Sequence, residues 1–207
     1  MRLTERDKRI LEAIYDHDGL LSHPQIKCLF FGSDTQLRTR MALLFQHGYV
    51  NRPTRRQRAA LPHMIYWLGE KGAAYLAGQS GERVEDFVYR KAPRLLQVEH
   101  DLAVNDVRIA VTQACQATEG FDLIEWLPEG EFHAYPDKVE FTLPNGTQGA
   151  RHVTPVGFFT VERQGRAFRF LLELDNRTAD NPRFAREKVI PGLAYLKSAA
   201  YKQRFGV

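Results

Sequence analysis

Apolar residues recur at helical spacing in three short segments at the start of the chain, and each stripe predicts one amphipathic helix. The stripes consist of Ile10, Leu11 and Ile14, then Ile26, Leu29 and Phe30, and finally Leu37, Met41 and Leu44. Each segment is only long enough for a short helix. Three short amphipathic helices in succession predict a small helical unit that buries these stripes against one another.

Polar residues mark the beginning of each predicted helix. Thr4 is a favourable N-cap ahead of the first stripe. Ser22 and Gln25 have the spacing of a capping box, in which each side chain bonds the other's backbone N–H, and so do Ser33 and Gln36. These signals predict separate helices rather than one continuous helix.

A different pattern follows the third helix. Two β-prone segments, residues 49–51 and 63–68, flank a basic segment at residues 52–58. The basic segment contains Arg52, Arg55, Arg56 and Arg58. Strand, basic loop and strand together predict a β-hairpin, and residues 69–76 then predict a fourth helix.

The remainder of the chain predicts a second domain. A flexible break at residues 78–81 and a proline at position 93 place the first domain at 1–80, a linker at 81–93 and the second domain at 94–207. A long helix is predicted at 95–116 and a last helix from about 183. Strands are predicted at 123–127, 130–134, 138–143, 156–161 and 167–174, the last two joined as a hairpin. The fold class is therefore α+β.

Composition and charge narrow the function classes. The 207 residues are 43% hydrophobic and contain two cysteines, Cys28 and Cys115, without metal-ligand spacing. No export signal or membrane-length apolar stretch is present, which predicts a cytoplasmic protein that does not associate with membranes. Residues 1–80 carry 12 Lys and Arg against 7 Asp and Glu, whereas residues 81–207 carry 17 against 18. The positive excess therefore lies in the first domain, which favours a polyanionic partner.

The order of the N-terminal elements resembles the winged helix-turn-helix superfamily. On the third helix, the residues away from the apolar stripe are Thr35, Gln36, Arg38, Thr39 and Arg40. Such side chains can contact base edges in the major groove, where Arg pairs with guanine and Gln with adenine. The four arginines of the hairpin, or wing, can follow phosphates or enter a narrow minor groove. The alternatives are a solvated hairpin beside a surface helix, or a protein-interaction module.

Three further strings carry a resemblance to a known family. Residues 100–107 lie in the long helix, residues 170–178 end a hairpin with Glu-Leu-Asp-x-x-Thr, and Lys188 and Tyr195 follow. This combination resembles the replication-relaxation family of plasmids and other mobile elements. The resemblance implies an N-terminal winged helix and a second domain similar to the restriction-endonuclease-like fold.

The resemblance also implies a divalent-metal site, which this sequence matches poorly. The family pattern has Pro-Asp at the start of the first hairpin strand and Glu-x-Lys on the next strand. Here Pro155 is followed by Val156, which cannot bind a metal, and Asp175 stands in place of the lysine. We therefore expect no catalytic residues, no metal and no cofactor, with Glu173 paired to Lys188 or to an arginine. The alternative is a metal-dependent nuclease that uses Glu173 and Asp175.

The sequence therefore favours a non-enzymatic, sequence-specific protein that binds double-stranded DNA. It would act as a transcriptional regulator, or as an accessory factor in replication or conjugative relaxation. We expect a homodimer, since operators are often pseudo-palindromic. A replication or conjugation protein is a further expected partner of the second domain.

Overall fold

A computed structural model describes residues 1–87, 93–94, 96–175 and 180–206. It divides into two compact units, residues 1–109 and 110–207, and mixes helices with antiparallel sheets. The predicted α+β class is therefore confirmed. The first unit extends further along the chain than the predicted first domain, and part of the predicted linker lies outside the described residues.

Helices alternate with the short strands of one sheet along the first unit. In chain order it contains α1 (Glu5–Asp16), β1 (Leu20–Ser22), α2 (His23–Phe30), α3 (Asp34–Gln46), β2 (Val50–Asn51), α4 (Arg55–Arg58), β3 (Ile65–Leu68), α5 (Glu70–Ser80), a 3-10 turn (Val84–Asp86) and the first part of α6 (Val98–Ala117). The predicted fourth helix is confirmed as α5. The flexible break predicted at 78–81 is wrong in part, because α5 continues through Ser80 and ends at Gly81, whose φ is +75°.

Two of the three predicted helix starts have the expected hydrogen bonds. Thr4 caps α1 in a capping box with Asp7, and Ser22 caps α2 in a capping box with Gln25. The capping box predicted at Ser33 is wrong, because that side chain makes no capping hydrogen bond. The first acidic residue of α3, Asp34, instead bonds side chains of α2 and α3.

The strands of the first unit form one antiparallel sheet in the order β1-β3-β2. Every residue of the central strand β3 is buried. Val50 faces Leu68 and Asn51 faces Trp67, which confirms the predicted pairing of the two hairpin strands. The connection between them is not the predicted open loop, since Arg55–Arg58 forms a short helix, α4. Its start is fixed by Thr54, which forms a capping box with Gln57.

The predicted apolar stripes meet in one core. Ile10, Ile26 and Leu37 on the predicted inner faces have no exposed surface, whereas Leu29 and Phe30 of α2 are partly buried against the same core. The first part of α6 adds a second cluster, in which Val98 and Leu102 pack with apolar residues of the sheet. This packing explains why the first unit extends to residue 109. The predicted helix begins at Val98 rather than at Leu95, which lies outside the described residues.

Polar contacts also hold α6 to the first unit. The Gln25 side chain donates to the Leu102 carbonyl oxygen at 2.8 Å and to an Asp106 carboxylate oxygen at 2.7 Å. The Asn105 side chain donates to the Leu20 carbonyl oxygen at 2.8 Å. Gln25 and Asn105 are buried, so an unmade bond here would leave a desolvated polar group.

Helix α5 begins against the backbone that precedes β2. A Cβ atom at Gly72 would lie 2.2 Å from the Tyr49 carbonyl oxygen, and one at Gly69 would lie 2.3 Å from the Gly48 carbonyl oxygen. Real Cβ atoms do not approach backbone this closely. Both positions therefore require glycine for the close approach of two backbone segments.

The second unit contains two sheets and several short helices. They are the rest of α6, β4 (Phe121–Pro128), α7 (Glu129–Ala134), β5 (Asp137–Thr142), β6 (Gln148–Val153), β7 (Gly157–Arg163), β8 (Arg166–Leu172), α8 (Asn181–Phe184), a π-helical stretch (Ala185–Val189), α9 (Ile190–Leu196) and α10 (Ala199–Phe205). One sheet has the order β4-β7-β8, and β5 pairs with β6. All described strand pairs are antiparallel.

Most of the predicted strands of this unit are present. The hairpin of β7 and β8 is confirmed, and its turn residues Gln164 and Gly165 both have positive φ, 51° and 74°. The strand predicted at 130–134 is wrong, because this segment forms helix α7. Phe132 of that helix is fully buried with Phe158 and Tyr195 in the core of the unit.

The lowered pKa of His17 predicts how the stability of the protein changes with pH. Its side chain is buried, and burial lowers the pKa of His17 from 6.5 to about 4, assisted by the positive charge of Arg108. Between these values the unfolded chain binds a proton that the folded chain does not, so stability falls as pH falls. From pH 7 to pH 5 this group should remove about 2 kcal/mol from the free energy of unfolding.

Urea denaturation at pH 7 and pH 5 of the wild type and of His17→Gln measures this effect. The variant should lose less stability over the interval than the wild type does. The same loss in both proteins would show that His17 titrates normally in the folded state.

Candidate nucleic-acid interface

Helix α3 presents a polar face opposite its buried stripe. Thr35, Gln36, Arg38 and Thr39 are exposed, whereas Leu37 on the other side has no exposed surface. These four side chains lie in the first half of the helix. The N-terminal part of a helix is the part that reaches base edges when the helix lies in a major groove.

The hairpin arginines have three different environments. Arg52 stacks over the Phe45 ring, with its guanidinium carbon 4.2 Å from the ring centre. Arg58 donates to the Leu61 carbonyl oxygen at 2.5 Å. Arg55 and Arg56 are exposed on α4 and have no ion-pair partner within the described part of the chain. The connection therefore holds two arginines in place and leaves two extended into solvent.

A cleft of about 490 Å³ joins the two sets of residues. Its lining includes Arg38 from α3 and both Arg52 and Arg58 from the hairpin connection, together with His23 and His63. Three guanidinium groups in one concave site concentrate positive charge and favour an anion such as a phosphate. The structure thus brings Arg38 together with Arg52 and Arg58, which follow it by 14 and 20 positions in the sequence.

An ordered polar network borders this cleft. His23 Nε2 lies 2.9 Å from an Asp34 carboxylate oxygen, and Arg38 Nε lies 2.7 Å from the other. The hydrogen bond from His23 lowers the pKa of the Asp34 carboxyl group, so Asp34 stays ionised. The Tyr66 hydroxyl lies 3.4 Å from His23 Nδ1, and burial raises the pKa of Tyr66. Asp34 therefore orients Arg38 at the edge of the cleft.

Arg40, the fifth residue predicted on α3, has a different partner. Its Nε donates to an Asp7 carboxylate oxygen at 2.6 Å, and its Nη2 donates to the other. Asp7 has no exposed surface; burial raises its pKa, but the hydrogen bonds from Arg40 and Thr4 outweigh this and lower it below the usual value. Arg40 thus ties α3 to α1, a role that the sequence pattern did not indicate.

A second groove, of about 720 Å³, runs between the start of α1 and α3. Thr35, Gln36 and Thr39 line it on one side and Arg6 on the other. Arg6 stacks over the Phe31 ring at 4.9 Å and was not among the predicted site residues. Its helical spacing with Arg9, away from the apolar stripe of α1, is the signal that could have identified it. His23 and His63 of the cleft were likewise not predicted.

Two carboxylates of the second unit, those of Glu173 and Asp137, are bound by neighbouring side chains. A Glu173 carboxylate oxygen lies 3.1 Å from Lys188 Nζ, as predicted, and burial raises the pKa of Glu173 although Lys188 opposes this. The strand predicted at 167–174 ends earlier, at Leu172, so Glu173 and Asp175 both follow β8. Most of the following loop, including Thr178, lies outside the described residues.

A Pro-Asp pair occurs in the preceding hairpin. Pro136 and Asp137 stand at the start of β5, whereas Val156 is a buried residue that precedes β7. The Tyr195 hydroxyl donates to an Asp137 carboxylate oxygen at 2.5 Å, and Arg204 lies 3.1 Å from that oxygen. Among the described residues, no group of three or more His, Cys, Asp and Glu side chains is arranged to hold a metal ion.

Comparison with known proteins identifies the family. The family model described as replication-relaxation matches residues 11–191, so the chain belongs to the replication-relaxation family. Membership supports a role in the replication or relaxation of mobile elements. No curated protein and no solved structure matches the chain. In the described part of the chain, no helix is long and apolar enough to cross a membrane.

The two arginines of α3 should behave differently on substitution. Arg40→Ala leaves the buried Asp7 carboxylate without its cation, and removal of one partner of a buried pair typically costs about 3–5 kcal/mol. Arg40 is partly exposed, so we expect a loss near the lower end of this range. Arg38→Ala should cost about 0.5 kcal/mol or less, because Arg38 is exposed and its ion pair with Asp34 lies at the surface.

Urea denaturation of the two variants provides the comparison, and Asp7→Asn/Arg40→Met serves as a control that removes both charges. This double variant should be more stable than Arg40→Ala. Equal stabilities of Arg38→Ala and Arg40→Ala would contradict a structural role of Arg40.

Proposed function

We propose that the first unit is a winged helix-turn-helix that binds double-stranded DNA, with α3 in the major groove and the connection between β2 and β3 as the wing. The cleft that joins Arg38 to Arg52 and Arg58 is the observation that carries this proposal. A phosphate bound there would lie between the helix that contacts bases and the wing. The positive excess of residues 1–80 supports the same partner.

Different residues serve different contacts in this arrangement. Gln36 and Arg38 are the side chains of α3 suited to hydrogen bonds with adenine and guanine, with Thr35 and Thr39 beside them. Arg55 and Arg56 extend from the wing and suit phosphates or a narrow minor groove. Arg40 supports α3 from behind through Asp7, so we assign it no base contact. Arg6 lines the groove on the other side of α3 and suits a further phosphate.

The second unit is proposed to be a non-catalytic relative of the restriction-endonuclease-like fold. The long helix, the β5–β6 hairpin that begins with Pro136 and Asp137, and Glu173 after β8 support this relationship. We propose that the protein acts as a homodimer, either as a transcriptional regulator or as an accessory factor in replication or conjugative relaxation. A replication or conjugation protein is the proposed partner of the second unit.

Substitution of the wing arginines tests the DNA-binding proposal. Arg55→Ala/Arg56→Ala/Arg58→Ala should weaken binding to duplex DNA and reduce the slope of log K against log salt by about one unit for each phosphate that an arginine no longer neutralises. The fold should persist, because alanine favours the helical conformation of α4. Fluorescence anisotropy with a labelled duplex, at several salt concentrations, measures affinity and slope.

A matched control removes three positive charges elsewhere. Arg186, Lys197 and Lys202 are exposed in the second unit, and their triple alanine variant changes net charge by the same amount. The control should keep its affinity for duplex DNA within about twofold of the wild type and its slope unchanged. If the wing variant and this control bind alike, the wing does not contact DNA.

The rival function is a metal-dependent nuclease. Asp137 follows a proline at the start of β5, as the family's metal-binding Asp follows a proline, so this function needs a direct test. A site built from Asp137, Glu173 and Asp175 would first have to release Asp137 from Tyr195 and Arg204, and Glu173 from Lys188. We therefore expect no nicking of supercoiled plasmid with Mg²⁺ or Mn²⁺. We also expect no rise in melting temperature with either ion, although a metal at 100 times its dissociation constant would add about 2.7 kcal/mol.

Agarose electrophoresis and thermal denaturation make these measurements, with Asp137→Asn and Glu173→Gln prepared in parallel. Cleavage that requires metal and disappears in either variant would make the protein a nuclease. Cleavage that persists in both variants would indicate a contaminating enzyme.

A further inference from the structure

One face of the β4-β7-β8 sheet carries a row of stacked aromatic rings. The ring centres of Trp126 and Phe159 are 5.4 Å apart and those of Phe159 and Phe170 are 4.9 Å apart, with interplanar angles of 11° and 18°. Strand register places further apolar residues on the same side. We call this side the aromatic face: Phe121, Leu123, Trp126, Phe159, Val161, Phe168 and Phe170.

The aromatic face becomes more exposed toward strand β8, which is an edge of the sheet. Phe168 and Phe170 on that strand are 41% and 45% exposed, although both are large apolar side chains. A groove of about 460 Å³ lies over the face, closed on one side by Val111, Ala114 and Cys115 of α6. Exposed apolar side chains that lie together beside polar residues are a candidate binding surface.

The acidic residues of these strands all lie on one side of the sheet, together with Arg169. Asp122, Glu125 and Glu162 alternate onto the side opposite the aromatic face, as the register shows. The aromatic face has only Arg163 and Arg166 as charged neighbours within the strands. Arg163 lies over the Phe121 ring at 4.9 Å and Arg166 lies over the Phe168 ring at 5.8 Å. The face is thus aromatic and exclusively positive.

We propose that the aromatic face binds single-stranded DNA. Bases would stack on Phe168 and Phe170, and phosphates would contact Arg163 and Arg166. Aromatic rings combined with positive charge are the features by which proteins bind single strands without sequence preference. Phe168 and Phe170 are two positions apart on one antiparallel strand, a separation of about 6.8 Å, which gives each ring room for its own base.

Charge complementarity favours a single strand over the other occupants. In a duplex the bases are paired and stacked, so their faces cannot reach the phenylalanine rings. An apolar protein surface would complement the rings but not two arginines without a neighbouring acid on that side of the sheet. The proposal does not depend on the duplex site, because all of its residues lie in the second unit.

Fluorescence anisotropy with a labelled 20-nucleotide oligothymidylate tests the proposal, since this oligonucleotide cannot form a duplex. Phe168→Ala/Phe170→Ala should weaken binding at least about tenfold, the loss expected when stacking of one or two bases is removed. Ile124→Ala is the matched control, because Ile124 is 54% exposed but lies at a bulge of β4, the other edge of the sheet. The control should bind like the wild type.

The arginines supply a second measurement. In Arg163→Gln/Arg166→Gln the slope of log K against log salt should fall by about 0.7 for each phosphate contact, the value for single strands. Phe168→Tyr/Phe170→Tyr keeps the rings and should keep most of the affinity. If the alanine variant fails to fold, Arg163→Gln/Arg166→Gln preserves the test, since an unchanged affinity and slope there would contradict the proposal.

Substitutions distinguish the proposed duplex site from the proposed single-strand site. The wing variant Arg55→Ala/Arg56→Ala/Arg58→Ala should lose duplex affinity and keep most of its affinity for oligothymidylate, and Phe168→Ala/Phe170→Ala should do the reverse. Equal affinities of the wild type and Phe168→Ala/Phe170→Ala for oligothymidylate would overturn the proposal. It would also be overturned if the phenylalanine variant changed only the oligomeric state in analytical ultracentrifugation, which would make the face a protein interface.

Discussion

A carboxylate with no exposed surface connects the first and third helices of the N-terminal unit. Asp7 accepts hydrogen bonds from the backbone and hydroxyl of Thr4 and from the guanidinium of Arg40. Such a charge is tolerated inside a protein only when these partners hold it in one geometry. The same contacts that start α1 therefore also fix α3 relative to it. The exposed side of α3 and the adjoining cleft depend on this arrangement.

Much of the first unit follows from local sequence patterns. The stripe that contains Leu37 and Met41 predicts which side of α3 is buried, and therefore which residues remain exposed. Capping at Thr4 and Ser22 is equally local, and both predictions are confirmed. Ser33 makes no capping bond, and the neighbouring Asp34 instead bonds His23 of another helix, a contact that no pattern within α3 contains.

The role of Arg40 could not be predicted, for a related reason. On a helical projection Arg38 and Arg40 are both polar residues away from the apolar stripe. What distinguishes them is a buried carboxylate 33 positions earlier in the chain. In the second unit, the sequence does not predict strand β6, because Gln148–Val153 carries little apolar periodicity. Long-range pairing decides such cases, whereas sequence patterns report local preferences.

The glycines of α5 set limits on how the protein can be strengthened for biochemical work. Gly69 and Gly72 allow two backbone segments to touch, so an engineering library should leave them unchanged. Gly78 lies in the same helix, and a methyl group added there would meet no atom within 4 Å beyond its chain neighbours and the helix's own backbone. Alanine there should raise stability by up to about 1 kcal/mol, through a less flexible unfolded chain and better helix propensity. A single helix thus contains both a backbone contact that tolerates no side chain and a site for thermostabilisation.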